Sequence, residues 1–305
     1  MSDHPTRRDL APRVDTKRKI TAGKAPRLAV RKTYKLFIGG AFPRSESGRS
    51  YEVTDAKGNF LANASRASRK DVRDAVSAAR KAFGGWSGRT PYNRGQILYR
   101  IAEMLEGRRD QFADELRTSG LGKAAAEAEV DAATDRWVWY AGWADKIASV
   151  AGAANPVAGP YFNFSTPEPT GVVGIVAPDS ALLGLVSVVA PAIVTGNTCV
   201  VVAAQPLVAI TLAEVLATAD LPGGVVNILT GQRAELAPWL ASHMDVNAID
   251  LAGAPPDLAV ACAEAAAENL KRVLRPAEAD WTADPGTERM TAFLETKTVW
   301  HPVGI

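Results

Sequence analysis

The 305-residue chain carries few side chains suited to covalent or metal chemistry: two cysteines and three histidines. His4 lies in a basic N-terminal stretch, His243 in a polar turn and His301 near the C-terminus. Histidines scattered this way make neither a metal site nor a Ser/His pairing. A reactive thiolate needs a neighbouring base or an electropositive turn to lower its pKa. Cys199 sits inside the β-branched run TCVVVA and Cys262 inside an Ala-rich helix pattern, and neither has such a neighbour in sequence. Both read as small buried hydrophobes. No GxGxxG, Walker A loop, HExxH or Cys-rich zinc spacing occurs. Residue types and spacing alone therefore imply an α/β domain without an evident catalytic constellation.

The elements that would position a site are clearer. Hydrophobic residues make up 47% and charged residues 22% of the chain, an ordinary globular balance that permits a substantial core. Charge is unevenly spread. Residues 1–35 hold eleven Lys/Arg against three Asp, a net of +8, and the remainder is net −6. Residues 1–33 read as a disordered basic arm, polar and without apolar periodicity. The arm has no apolar segment of a secretory signal, and two cysteines give no disulfide framework, so a cytoplasmic setting is expected. From Ser180 to Ala213 no residue is charged, but Pro191, Gly196, Asn197 and Pro206 cut the stretch. It reads as strand–helix–strand rather than a membrane span.

Strands are expected at Gly171–Ala177, Thr198–Ala203, Val225–Leu229 and Ala248–Leu251. They are continuous apolar runs, as in a parallel sheet buried on both faces. Helices are expected at Arg69–Phe83, Pro91–Leu116, Ala124–Ile147, Ala181–Thr195, Ile210–Ala219, Leu236–Ser242 and Pro255–Leu274, with a short turn at Glu288–Phe293. Gly152–Pro169 suits an extended hairpin, and Leu294–Trp300 alternates as a terminal strand. The aromatic cluster Trp137, Trp139, Tyr140 and Trp143 reads as core packing.

Several segments, in order, resemble the aldehyde dehydrogenase superfamily. KLFIGGAFPRSESGRSYEV is similar to its opening hairpin. DVRDAVSAARKAFGGWSGRTPYNRGQILYRIAEMLE is similar to its first two helices, and VDAATDRWVWYAGWADKI to the helix before its oligomerisation excursion. EPTGVVGIVAP, APAIVTGNTCVV and LPGGVVNILTG match its cofactor domain, and ETKTVWHP resembles its final strand. The resemblance implies a Rossmann-type α/β fold with a parallel sheet flanked by helices. It divides the chain into the arm, a cofactor-type domain over 34–275 with the excursion at 152–169, a short remnant at 276–293, and a C-terminal oligomerisation strand at 294–305.

The same resemblance exposes departures. Ser180 stands where the family's oxyanion-stabilising Asn would be. Val202 and Gln205 replace the Lys and Glu that hold the adenosine ribose. Gly253 and Ala254 sit in a turn, Leu251-Ala252-Gly253-Ala254, that lacks the two hydroxyls of the family's Phe-Thr-Gly-Ser. Pro276 falls at the general-base position. The nucleophilic Cys and its domain are missing, since about twenty residues, not more than a hundred, separate base strand from final strand. The expectation is a non-catalytic protein without a bound cofactor that associates with a full-length aldehyde dehydrogenase through Glu295, Lys297, Val299 and Trp300. Two other readings stay open: a weakly active NAD(P)-dependent aldehyde dehydrogenase, and a protein binding nucleic acid or an acidic partner surface through its arm.

Overall fold

A computed structural model describes residues 31–304, so the basic arm lies almost wholly outside the described residues. The first sheet pairs β1 (Thr33–Tyr34) and β2 (Ser50–Thr54) with β3 (Phe60–Ser65), parallel and antiparallel respectively. Helix α1 (Arg69–Ser87) follows. Ser68 and Asp71 form a complete capping box: the Asp71 N–H donates to Ser68 Oγ at 3.4 Å and the Ser68 N–H to the Asp71 carboxylate at 2.8 Å. The same carboxylate accepts from Ser45 Oγ at 2.7 Å and the Glu46 N–H at 3.1 Å. One side chain thus starts the helix and ties it to an earlier loop. Asp71→Ala is expected to cost about 1–2 kcal/mol in urea unfolding. An unchanged midpoint would contradict the double role.

The stretch 91–116, expected as one helix, forms two: α2 (Pro91–Glu106) and α3 (Arg109–Thr118). Arg108 leaves helical geometry (φ −117, ψ 16), and the bend lets it pair with Glu214 at 3.1 Å while Phe112 and Leu116 bury. Next come α4 (Lys123–Trp143) and α5 (Ile147–Ala151). Trp137 and Tyr140 are fully buried, and Trp139 and Trp143 pack on the same core, so the aromatic cluster is structural.

The central sheet is built from β6 (Val172–Val176), β7 (Thr198–Ala203), β8 (Val226–Thr230), β9 (Ala248–Asp250) and β10 (Arg272–Leu274), all parallel, in the order β10-β9-β6-β7-β8. Helices α6 (Leu183–Val194), α7 (Pro206–Thr218), α8 (Arg233–Ser242) and α9 (Pro256–Ala267) connect them. Every residue of β6 to β9 is buried. Alternation divides them between two layers: Cys199 and Val201 face the core with α2, α4, α6 and α7, and Val200 and Val202 face the cluster with α1 and α8. The uncharged stretch 180–213 is spread over α6, β7 and α7, and among the described residues no helix is long and apolar enough to cross a membrane.

The helix expected over 255–274 ends early. Leu270 adopts a left-handed φ of 57°, and the Lys271 N–H closes back on the Ala266 carbonyl at 3.1 Å. Residues 272–274 then join the sheet beside β9.

A third sheet has the order β11-β5-β4, with β4 (Ala153–Asn155), β5 (Tyr161–Pro169) and β11 (Leu294–Pro302) antiparallel. Helix α10 (Glu288–Thr291) precedes β11. Phe293 O accepts from the Thr170 N–H at 3.2 Å, and the Val303 N–H donates to Pro160 O at 2.8 Å. These fix the ladder: odd-numbered residues of β11 bond to β5. Alternation then turns the N–H and C=O groups of Thr296, Thr298 and Trp300 to the open side. On β5 the odd positions face β4, and two of them, Pro167 and Pro169, have no N–H to offer.

Candidate functional site

In an open parallel sheet, ligands seat beyond the carboxyl ends of the strands where the strand order reverses. Here the chain runs outward through β6, β7 and β8, then returns to the other side of β6 for β9. The crevice therefore lies between the loops that follow β6 and β9.

A guanidinium bridges that crevice. Arg233, at the start of α8, donates from Nη1 to Gly253 O at 2.7 Å and Ala177 O at 3.4 Å, and its Nη2 pairs with Asp179 at 2.6 Å. The two loops also bond directly, the Gly253 N–H donating to Val176 O at 2.9 Å. A Cβ on Gly253 would stand 1.9 Å from Ala177 O, so only glycine allows this approach. Ala254 is buried beside Val176 and Leu251. Val202 is fully buried in the apolar cluster with Val72, Val76 and Leu229. Gln205 occupies the N-cap position of α7 without a side-chain capping bond. A dinucleotide needs ribose partners and free donors at its pyrophosphate. Val202 and Ala254 supply none, and three of the five Arg233 N–H donors already serve Gly253, Ala177 and Asp179, so these residues fit one poorly.

The start of α6 is filled as well. Glu129 of α4 accepts from the Leu182 N–H at 2.9 Å and the Leu183 N–H at 3.2 Å. Ser180 Oγ accepts from the Gly184 N–H at 2.9 Å and donates to Glu129 at 3.4 Å. An oxyanion hole needs donors left open for charge that develops during reaction. Here the helix-end donors already serve the chain's own oxygens. Pro276 is exposed beyond β10 and brings no acid–base group. Both cysteines are buried; burial pushes the Cys199 thiol far above its ordinary value and the Cys262 thiol up to about 11. His243 caps the end of α8, its pKa lowered by burial against an opposing pull from Asp245, and His301 is exposed on β11.

The remnant 276–293 closes this region from above. Arg136 of α4 donates to Trp281 O at 2.8 Å, Ala283 O at 2.9 Å and Ser187 Oγ at 2.8 Å. Arg289 pairs with Asp250 at the end of β9, whose side chain is 1% exposed, and lies 5.1 Å from the Trp281 ring centroid. Met290 and Phe293 are fully buried. Asn197 Nδ2 donates to Phe293 O at 2.9 Å. Beneath residues 279–282 an Ala- and Leu-lined cavity of about 490 Å³ remains, with Glu129 and Ser180 at its edge.

Sequence reading brought forward Ser180, Val202, Gln205, Gly253, Ala254 and Pro276. Ser180 lies at the start of α6, Gly253 and Ala254 at the crevice, and Val202 and Gln205 at the end of β7. Glu129, Arg233, Arg136 and the Asp250–Arg289 pair were not legible; Asp250, an acid ending an apolar strand, carried the one usable signal. On β11, Glu295 is held by Arg272 at 2.7 and 2.8 Å and Lys297 by Glu168 at 3.0 Å, so both charges are engaged within the chain. Val299 is half-buried opposite Phe164, and Trp300 is exposed and meets Tyr161 edge-on at 5.7 Å.

Residues 42–276 match the model of the aldehyde dehydrogenase family. The chain is 36% identical over 247 residues to aldehyde dehydrogenase family 2 member B4, mitochondrial, of Arabidopsis thaliana, covering 78% of this chain and 45% of that protein. It is 34% identical over 249 residues to aldehyde dehydrogenase, cytosolic 1, of Elephantulus edwardii, with 78% and 49% covered. Among solved structures, an aldehyde dehydrogenase from Bacillus cereus, described as an NAD+ complex, superposes with a TM-score of 0.76 at 28% identity, covering 79% of this chain and 50% of that one. The chain belongs to the aldehyde dehydrogenase family, and it spans about half the length of these relatives.

Proposed function

We propose that this chain is a non-catalytic member of its family, a structural or regulatory subunit that joins a full-length aldehyde dehydrogenase in the cytoplasm. The observation that carries the reading is the filling of the crevice by the chain's own groups: Arg233 spans the two loops and Glu129 occupies the α6 donors. Thioester chemistry needs a thiolate, a base and an open oxyanion site together, and no arrangement of Cys199 or Cys262 offers that set. Two buried free thiols accord with a reducing compartment. The open edge of β11 supplies the means of association, because strand addition draws its affinity from unpaired main-chain groups.

Co-expression with an intact family member from the same genome, followed by co-purification, tests the reading. A mixed oligomer is expected, while the chain alone turns over no aldehyde with NAD or NADP. Turnover by the isolated chain would favour the weakly active dehydrogenase instead. Thr298→Pro sharpens the test. It removes an N–H from the open side and leaves the main-chain β11–β5 bonds in place, giving up only the exposed bond between the Thr298 and Ser165 hydroxyls, so association should be lost with little change in the monomer's unfolding midpoint. Full retention of the complex by this variant would place the interface elsewhere.

A further inference from the structure

A cleft of about 630 Å³ opens between the start of α1 and the end of α8, and a smaller one of about 230 Å³ adjoins it, sharing Ser68, Arg69 and Trp239. Neither touches the Arg233 crevice. Val72 lies at the floor, and Trp239 is 41% exposed. The Arg69 guanidinium lies over that indole, 4.0 Å from the ring centroid. Together the two lobes are lined by Arg49, Arg66, Arg69, Lys70 and Arg73 against only Glu46 and Glu235. This excess stands on a body, residues 36–305, that is net negative. Lys70 and Arg66 are paired with the two glutamates, and Arg73 with Asp74. Among the described residues Arg49 and Arg69 have no carboxylate partner.

The two halves of this lining select a ligand together. A bare inorganic anion would use the cations but not the indole, and an apolar ligand the reverse. Unpaired guanidinium forks suit phosphate oxygens in bidentate fashion. An exposed aromatic face with a cation upon it suits a flat heterocycle. The combined volume falls in the range of small-molecule sites, about 300–1,000 Å³. We infer that this cleft binds a nucleoside phosphate, with its ring against the Arg69–Trp239 pair and its phosphates toward Arg49 in the smaller lobe. The site is independent of the crevice and of the proposed subunit role.

Isothermal titration of the full chain with ADP tests this, with adenosine and pyrophosphate as the two half-ligands. ADP should bind, each half-ligand at least tenfold more weakly, and the affinity should fall as salt rises. Arg69→Ala and Arg49→Ala, both surface changes that leave the fold intact, should each weaken ADP by roughly ten- to a hundredfold. Trp239→Leu should do the same and abolish the preference for ADP over pyrophosphate. Arg233→Ala should leave ADP affinity unchanged. Absence of ADP binding, affinity in Arg69→Ala and Arg49→Ala as tight as in the wild type, or loss of binding in Arg233→Ala would overturn the assignment, the last by placing the nucleotide in the crevice.

Discussion

Arg289→Met should lose about 3–5 kcal/mol at neutral pH, because it strands the Asp250 carboxylate inside the sheet without a counter-charge. Asp250 ends β9 with its side chain 1% exposed, and Arg289 of the remnant is its cation. Burial raises the Asp250 pKa, and Arg289 pulls it back down. A carboxyl whose folded pKa is raised contributes most below the unfolded value, about 4, and that contribution is lost as pH rises through the folded value. In Arg289→Met the downward pull is gone, so the lossy window widens. The deficit should be full at neutral pH and shrink on acidification toward about pH 4. Asp250→Asn combined with Arg289→Met should recover most of the stability, since no buried charge then remains. Urea titrations of the wild type, single and double variants at acidic and neutral pH check this. A deficit independent of pH, or a double variant as weak as the single one, would refute it.

Glu129→Ala should cost about 2–4 kcal/mol, because two N–H groups at a buried helix start, those of Leu182 and Leu183, lose their shared acceptor. Glu129→Gln keeps an acceptor oxygen and gives up only the charge facing the helix dipole, so about 0.3–1 kcal/mol is expected. The gap between the two variants, read by thermal and urea unfolding, measures the capping bond itself. Similar losses for both would mean that packing, not capping, is Glu129's contribution. Neither variant should gain dehydrogenase activity, since opening the donors leaves both thiols buried.

Both predictions turn on charged residues that sequence patterning assigns to solvent. Glu129 lies on a helix of mixed composition and meets residues more than fifty positions away. Arg289 sits 39 positions from Asp250. Such pairings are set by the tertiary fold and leave no local signature. The strands, by contrast, were legible because a parallel sheet buried on both faces needs uninterrupted apolar runs, and 198–203 falls at the expected bounds. The helix breaks were harder. α2 ends on Gly107, a single glycine that an apolar stripe running to Phe112 masks, and Leu270 takes a left-handed turn that Gly or Asn would have announced. Resemblance located Gly253 and Ala254 at the crevice and Ser180 at the start of α6, but the Arg233 bridge and the Glu129 cap join residues distant in sequence and leave no local signal.

The prolines of β5 give the third sheet a direction. Past the three residues of β4, a strand approaching from that flank would find no donors at Pro167 and Pro169. The opposite flank, along β11, keeps a regular row of them. The other edge is only the three residues of β4, so a sheet that joined another through β11 would keep no comparable row with which to add a third, which favours a closed pair over a filament.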